Sequence, residues 1–279
     1  MFSFTNKFSL KQLTVTSLAL FLLSACSTST TGRKQVMLFS ESELNQMGAA
    51  SFEDMKKNIP ISEDKAVNGF VQCVAKAITV NVPKSAHQGA WEVVVFDSKQ
   101  VNAFALPGGK IGVYTGILNV TENQDQLGAI IGHEVGHVIE HHSNERLSAN
   151  KLSNVGLAVA AVAVGASDVD NKGLWMAGLG IGLQYGVIMP YSRSHESEAD
   201  IIGQDLMARS GFDPKASIKL WQNMGNVSAK SGQGAPAEFM STHPSNETRI
   251  KQLTKHLSVS TNFYQNSNRP HCIKPTSKA

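Results

Sequence analysis

An α+β fold, mainly helical with one small β element, is what three features of this 279-residue sequence predict. Apolar residues between about 40 and 260 recur mostly at three- and four-residue steps, the spacing of helix faces. One block, Trp91 to Phe96, breaks that rhythm with consecutive β-branched and aromatic residues, as a strand does. The pair Gly108-Gly109 follows closely and is suited to turning the chain back on itself. A hydrophobic fraction of 42% is enough to fill a sizeable core.

Residues 1–25 carry Lys7 and Lys11, no acid, and an apolar run from Leu13 to Leu23. That run is short against the ~20 residues of a bilayer-spanning helix, so it has the form of a cleavable signal. It ends in Leu23-Ser24-Ala25-Cys26, similar to the bacterial lipobox in which the cysteine is acylated and becomes the new N-terminus. An ordinary secretory signal followed by an unrelated cysteine is the plainer alternative. Ser27 after the cysteine, by resemblance to the lipoprotein sorting rule, favours the outer membrane and its periplasmic face. Residues 26–39, which open on a Ser, Thr and basic stretch with Gly32, are expected to be a tether.

Ser40 and Glu43 form a capping box, so a helix should run to about Met55. A second helix over 62–80 presents Val67, Phe70, Val71, Val74 and Ile78 on one face. Trp91 to Phe96 and Lys110 to Tyr114 are the strands, joined through Asn102 to Gly109 as a hairpin or small sheet. Thr121 and Gln124 can cap a long helix from Glu122 to about Leu147, with Leu127, Ile130, Ile131, Val135 and Val138 on its apolar face. The apolar pieces Val155 to Ala166 and Leu174 to Ile188, split by Asp168 to Lys172, suit a helical hairpin that is buried or covers a groove. Ser194 to Arg209 is helical and stopped by Gly211, residues 225–238 form a surface loop, and Pro244 opens a last helix through Leu257. The catalytic-type domain is thus bounded at 40–260, with an irregular tail over 261–279.

Charge excludes one class of function. Without the first 25 residues, 23 basic side chains face 22 acidic ones, so no nucleic-acid partner is expected. Two cysteines remain beyond Cys26, Cys73 and Cys272; an oxidising compartment would allow them to bond, and their isolation argues against metal ligation.

The chemistry is carried by His133-Glu134-Val135-Gly136-His137. Residues four apart share a helix face, so both imidazoles can reach one cation with Glu134 beside them as general base. A bound Zn2+ would need a third protein ligand and keep one position for water. Glu196, Glu198 and Asp200 offer carboxylates on another predicted helix; spacing alone does not choose between Glu196 and Glu198, and the plainer reading of Glu198 is an acid in the first turn that favours the helix dipole. Asp200 is suited to hold a ligating histidine from behind. His141, His142 and His195 are expected at the surface. Gly132 and Gly136 inside the helix imply a neighbouring backbone at close range.

His133 to His137, Ser192-Arg193, Glu196 with Ala199-Asp200, and Thr242-His243-Pro244 with Arg249-Ile250 resemble the zinc metallopeptidase family of the CAAX prenyl endopeptidase and the bacterial heat-shock membrane protease. Asn102 to Gly109 and Tyr114-Thr115-Gly116 resemble the same family upstream of the metal helix. The overall style is closest to its periplasmic lipoprotein (LoiP-like) branch. The resemblance implies a zincin-like fold with a small antiparallel sheet flanking the metal helix, and one Zn2+ per chain held by His133, His137 and Glu196. It implies that Asp200 supports the site, with Arg193 and Arg249 pairing buried acids. His243 is implied to lie near the metal, either stabilising the tetrahedral intermediate or occupying the open position; a simple helix cap is the third alternative. The implied activity is membrane-anchored endopeptidase action on misfolded or unassembled envelope proteins, held out through outer-membrane lipids at Cys26. An outer-membrane assembly machinery or a second protease would be a natural partner. The strand Trp91 to Phe96 is the expected edge for pairing with substrate backbone. An assembly factor or chaperone with a latent protease site is the alternative function.

Overall fold

A computed structural model describes residues 26–163, 191–230, 242–243 and 247–276. The apolar pieces expected over Val155 to Ala166 and Leu174 to Ile188 fall largely outside the described residues, as do the signal segment and part of the 225–238 loop.

Residues 26–36 do not form a plain tether. Strands β1 (Cys26–Thr28) and β2 (Lys34–Val36) pair antiparallel, with Cys26 opposite Val36. Polar side chains then tie this hairpin to the body of the protein, which composition alone could not indicate. Helix α1 (Glu41–Asn58) starts at the predicted capping box: Ser40 Oγ accepts from the Glu43 N–H, and Glu43 accepts in return from the Ser40 N–H at 2.8 Å. Such reciprocal caps satisfy two otherwise orphaned amides. Helix α2 (Lys65–Thr79) is capped by Asp64 and buries Phe70, Val71, Val74 and Ile78, the face its spacing predicts.

The sheet is mixed rather than wholly antiparallel. Strands β3 (Glu92–Phe96), β4 (Ala103–Leu106) and β5 (Lys110–Tyr114) lie in the order β3-β5-β4. β4 and β5 pair antiparallel through a turn in which Gly108 and Gly109 both take positive φ, as tight hairpins require. The link over 97–102 then leaves β5 to insert between β3 and β4, so β3 and β5 pair in parallel. Phe52, Phe96, Phe104 and Tyr114 interlock in a small aromatic core beside this sheet.

The β3 edge expected to receive substrate is already occupied in part: the Ser62 N–H donates to the Val95 carbonyl, and the Asp97 N–H to the Pro60 carbonyl. The edge on the metal-helix side is β4, a strand that its short Ala-Phe-Ala-Leu run did not disclose.

Helix α3 (Gln124–Ile139) is capped by Asn123 rather than Thr121, and every residue from Gln126 to Ile139 is buried. It ends eight residues before Leu147. Glu140 leaves the helix and His141 takes φ 54°, after which α4 (His142–Ala163) starts in a new direction. A non-glycine residue there costs on the order of 1 kcal/mol or more, an expense the surrounding packing must cover. Helix α5 (Arg193–Arg209) crosses α3 at very short range. A Cβ on Gly132 would lie 2.8 Å from the Gly203 carbonyl oxygen, and one on Gly136 would lie 2.9 Å from that of Ala199. The helical glycines are therefore explained by the expected neighbouring backbone.

Helix α6 (Lys215–Lys230) continues into what composition marked as loop, and α7 (Glu247–Gln265) outlasts its predicted end at Leu257. The tail beyond it is irregular but anchored. Cys272 bonds to Cys73, and its backbone N–H donates to Gln124 Oε1 at 2.7 Å.

Candidate metal centre

Four buried side chains converge where α3, α5 and the segment before α7 meet. His133 and His137 come from successive turns of α3, Glu196 from the first turn of α5, and His243 from the segment preceding α7. One nitrogen or oxygen from each lies within 4.8 Å of all the others. His133 Nε2 is 3.1 Å from His137 Nε2, and Glu196 is 3.5 Å from each of these nitrogens. Ligands placed tetrahedrally at zinc–nitrogen bond lengths of about 2.0–2.1 Å stand about 3.4 Å apart, so this triangle fits such an ion. His243 Nδ1 adds a fourth donor, 3.2 Å from His133 Nε2 and 2.9 Å from Glu196 Oε1.

Charge leads to the same conclusion. Glu134, Glu196 and Asp200 are all buried, and in this cluster Arg249 is the buried cation facing them. Among the described residues, three carboxylates against one guanidinium is a balance that a divalent cation would neutralise. Burial works against charging Glu196, but His243 and Arg249 outweigh it and hold its carboxyl well below the ordinary range. Burial pushes Glu134 the other way, up to about 7. His137 is driven well below its usual value by burial and by the imidazoles around it. Burial also opposes charge on His133, but the Asp200 and Glu196 carboxylates overcome it and raise that imidazole.

Glu134 lies on the same helix turn as the histidines. Its Oε1 is buried with no hydrogen-bond donor among the described residues, 3.5 Å from His243 Nε2, while the backbone of Ala105 in β4 favours its charged form. Asp200 stands behind His133, with Oδ1 3.1 Å from Nδ1. Arg249 grips Asp200 with two nitrogens at 2.6 and 2.7 Å, reaches Glu196 at 2.7 Å, and lies 3.7 Å over the Trp221 ring.

The family model described as Peptidase family M48 matches residues 63–257, well over half the chain. The chain belongs to peptidase family M48. Among similar proteins, the mitochondrial metalloendopeptidase OMA1 of Schizosaccharomyces pombe is 35% identical over 167 residues, 60% of this chain and 47% of that protein. Human metalloendopeptidase OMA1 is 31% identical over 248 residues, 88% of this chain and 46% of its own length. The β-barrel assembly-enhancing protease of Escherichia coli K12 is 25% identical over 220 residues, covering 74% and 42%. The chain thus spans about half the length of these relatives.

In this M48 chain the structure brings together six of the residues singled out from sequence: His133, Glu134, His137, Glu196, Asp200 and His243, with Arg249 behind them. Arg193 does not join them; it is exposed on the first turn of α5. Three residues assigned to the surface or to a helix-end role are buried instead. His142 is fully buried, its Nδ1 2.8 Å from His137 Nδ1 and its Nε2 3.1 Å from Glu198. His195 stacks on His142 with ring centroids 4.4 Å apart and reaches Glu145 at 3.1 Å. Glu198, far from being a spare helix-dipole acid, collects Ser29, Thr31, Arg33 and His142. Burial lowers the His142 imidazole to about 4. Tyr191, which sequence reasoning also missed, stacks on His137 at 3.8 Å. A signal existed for His142: its five-residue spacing from His137, had the helix break at Glu140-His141 been recognised.

Proposed function

We propose that this chain is a zinc-dependent endopeptidase, of the lipoprotein branch suggested by its N-terminus. It would be held by acylated Cys26 on the periplasmic face of the outer membrane and act on unfolded or misassembled envelope proteins. The observation that carries the catalytic part is Glu134: a buried carboxylate with one oxygen lacking a donor among the described residues, one residue from a converging His/His/Glu set. His133, His137 and Glu196 would hold the ion, which supplies Lewis acidity that polarises a scissile carbonyl and acidifies water. Glu134 Oε1 is the atom placed to accept the water proton and pass it to the departing amine. The metal helix that carries Glu134 packs on β4, whose outer edge has no partner strand among the described residues. An extended substrate pairing with β4 would pass beside Glu134, and backbone pairing makes few demands on sequence. The envelope setting is supported by the lipobox-like segment and by similarity to β-barrel assembly-enhancing proteases.

His243 favours a second reading. Its Nδ1 sits within the donor set rather than outside it, as a fourth ligand would in a resting form awaiting a partner or substrate. Zinc content and casein cleavage should be measured on the chain starting at Ser27 and on its Glu134→Gln form. About one zinc in both, with cleavage by the parent alone, supports the protease. Zinc in both without cleavage turns attention to His243 or to a chaperone-like role, which Glu134→Gln would spare. Absence of zinc from both would sink the proposal.

A further inference from the structure

We propose that His142 is a positioning residue for the metal ligand His137, and that Arg33 of the N-terminal hairpin holds it in that role through Glu198. The inference rests on the metal-centre reading and extends it to residues that the peptidase motif does not contain.

Tautomers carry the argument. His137 directs Nε2 into the donor set, 3.1 Å from His133 Nε2. A ligating nitrogen carries a lone pair, so the His137 proton belongs on Nδ1. That atom lies 2.8 Å from His142 Nδ1, and only one proton fits between them. His137 must therefore donate and His142 accept. The remaining His142 proton is then on Nε2, where it donates to Glu198 Oε2 at 3.1 Å. Each link in this line is fixed by the one before it.

Glu198 is itself held from the N-terminal side. Ser29 Oγ donates to it at 2.7 Å and Arg33 Nε at 2.8 Å, with Thr31 also in contact. The other two Arg33 nitrogens clamp Glu145 at 2.5 and 2.7 Å. A guanidinium that bridges two carboxylates in this forked manner is a rigid support. His195 covers the outer face of the His142 ring and reaches the same Glu145. The two metal-ligating histidines are thus supported alike. His133 leans on Asp200 and Arg249; His137 leans on Glu198 and Arg33, with one imidazole interposed. Partners of this kind orient a ligand and raise its basicity, and losing one costs about 10–100-fold in metal affinity.

Zinc affinity of the chain from Ser27, measured by chelator competition, tests this. His142→Ala should weaken zinc binding about 10–100-fold. His142→Asn, whose Oδ1 takes the place of Nδ1 as acceptor, should recover most of it, while His142→Gln should not. Arg33→Ala should weaken zinc several-fold although the residue touches no ligand. With cobalt in place of zinc, the visible spectrum should change in His142→Ala and return in His142→Asn. Melting of the chelator-treated proteins reports whether each variant folds. If His142→Ala fails to fold, the Asn and Gln forms decide, and equal zinc affinities overturn the proposal. His142→Ala and Arg33→Ala binding zinc like the parent also overturn it. The prior reading fails separately, if the parent holds no zinc or keeps it after His133→Ala.

Discussion

Replacing Cys73 and Cys272 with alanine removes a cross-link between α2 and the C-terminal tail that spans 199 positions of sequence. Chain-entropy arguments give the unfolded-state restriction for a closed loop of n residues as about 2.1 + 1.5R ln n cal/mol/K. For a loop of this size that is about 18 cal/mol/K, or about 5 kcal/mol at 25 °C. With a urea m-value of about 3 kcal/mol/M, the unfolding midpoint should fall by roughly 1.7 M. Tryptophan fluorescence and far-UV circular dichroism, both recorded with chelator present to remove any metal contribution, would follow the transition. Because the bond is one unit, Cys73→Ala, Cys272→Ala and the double variant should all lie at the same midpoint. The tail's local contacts, including the Cys272 amide on Gln124, survive the substitutions and should not move the result. A midpoint shift below about 0.3 M in the double variant would rule out a cross-link contribution of this size, since it would leave under about 1 kcal/mol for the bond.

Arg249→Met should destabilise the fold by about 3–5 kcal/mol, because it strands the buried Asp200 and Glu196 carboxylates; Arg249→Lys should not rescue the melting temperature, one ammonium being unable to span both. Gly203→Ala would put a Cβ 2.7 Å from the His133 backbone nitrogen, so stability should drop by about 1–3 kcal/mol and zinc affinity with it. Gly69→Ala, in open space on α2, should instead raise the urea midpoint slightly, by about 0.5–1 kcal/mol of stability. Acid should loosen the N-terminal hairpin. His142 and His195 are both depressed below their ordinary value by burial, so their contribution is complete above about pH 6.5 and is lost as pH falls towards 4. Against the effect of burial, Arg33 holds Glu145 low, and His142 and then Arg33 hold Glu198 low, so these two acids add a further loss below about pH 4.5. Hydrogen exchange of the amides over 29–36 at pH 7 and pH 4.5 checks this, and equal protection would contradict it.

The parts of the site legible in the sequence are those set by local periodicity. His133, Glu134 and His137 needed only the helix repeat, and Asp200 follows Glu196 by one turn on α5. The same repeat misled at His141, where nothing in Glu140-His141 announces a helix end, and carrying the helix onward sent His142 to the wrong face. Choosing Glu198 as a dipole acid failed for another reason: its partners Ser29, Thr31 and Arg33 lie more than 160 positions away, in a stretch that composition marks as linker. Four short residues, Ala103 to Leu106, all buried, show no alternation, so β4 was invisible and the parallel pairing of β3 with β5 could not be inferred. The tail after α7 has a loop's composition, and its order comes from Cys73, not from its own sequence.

The hairpin that starts at Cys26 also sets a height. Ser29 is already buried against Glu198, leaving three residues between that fixed point and the proposed lipid. Those residues are strand β1, held against β2, and extended chain reaches at most about 3.3–3.6 Å per residue, so the lipid would lie roughly 10 Å from that fixed point. On the proposed acylation, the enzyme would not sweep the periplasm on a long leash. Its hairpin face would rest close to the lipid headgroups, with little freedom to turn, and substrates would have to come to the membrane to be cut.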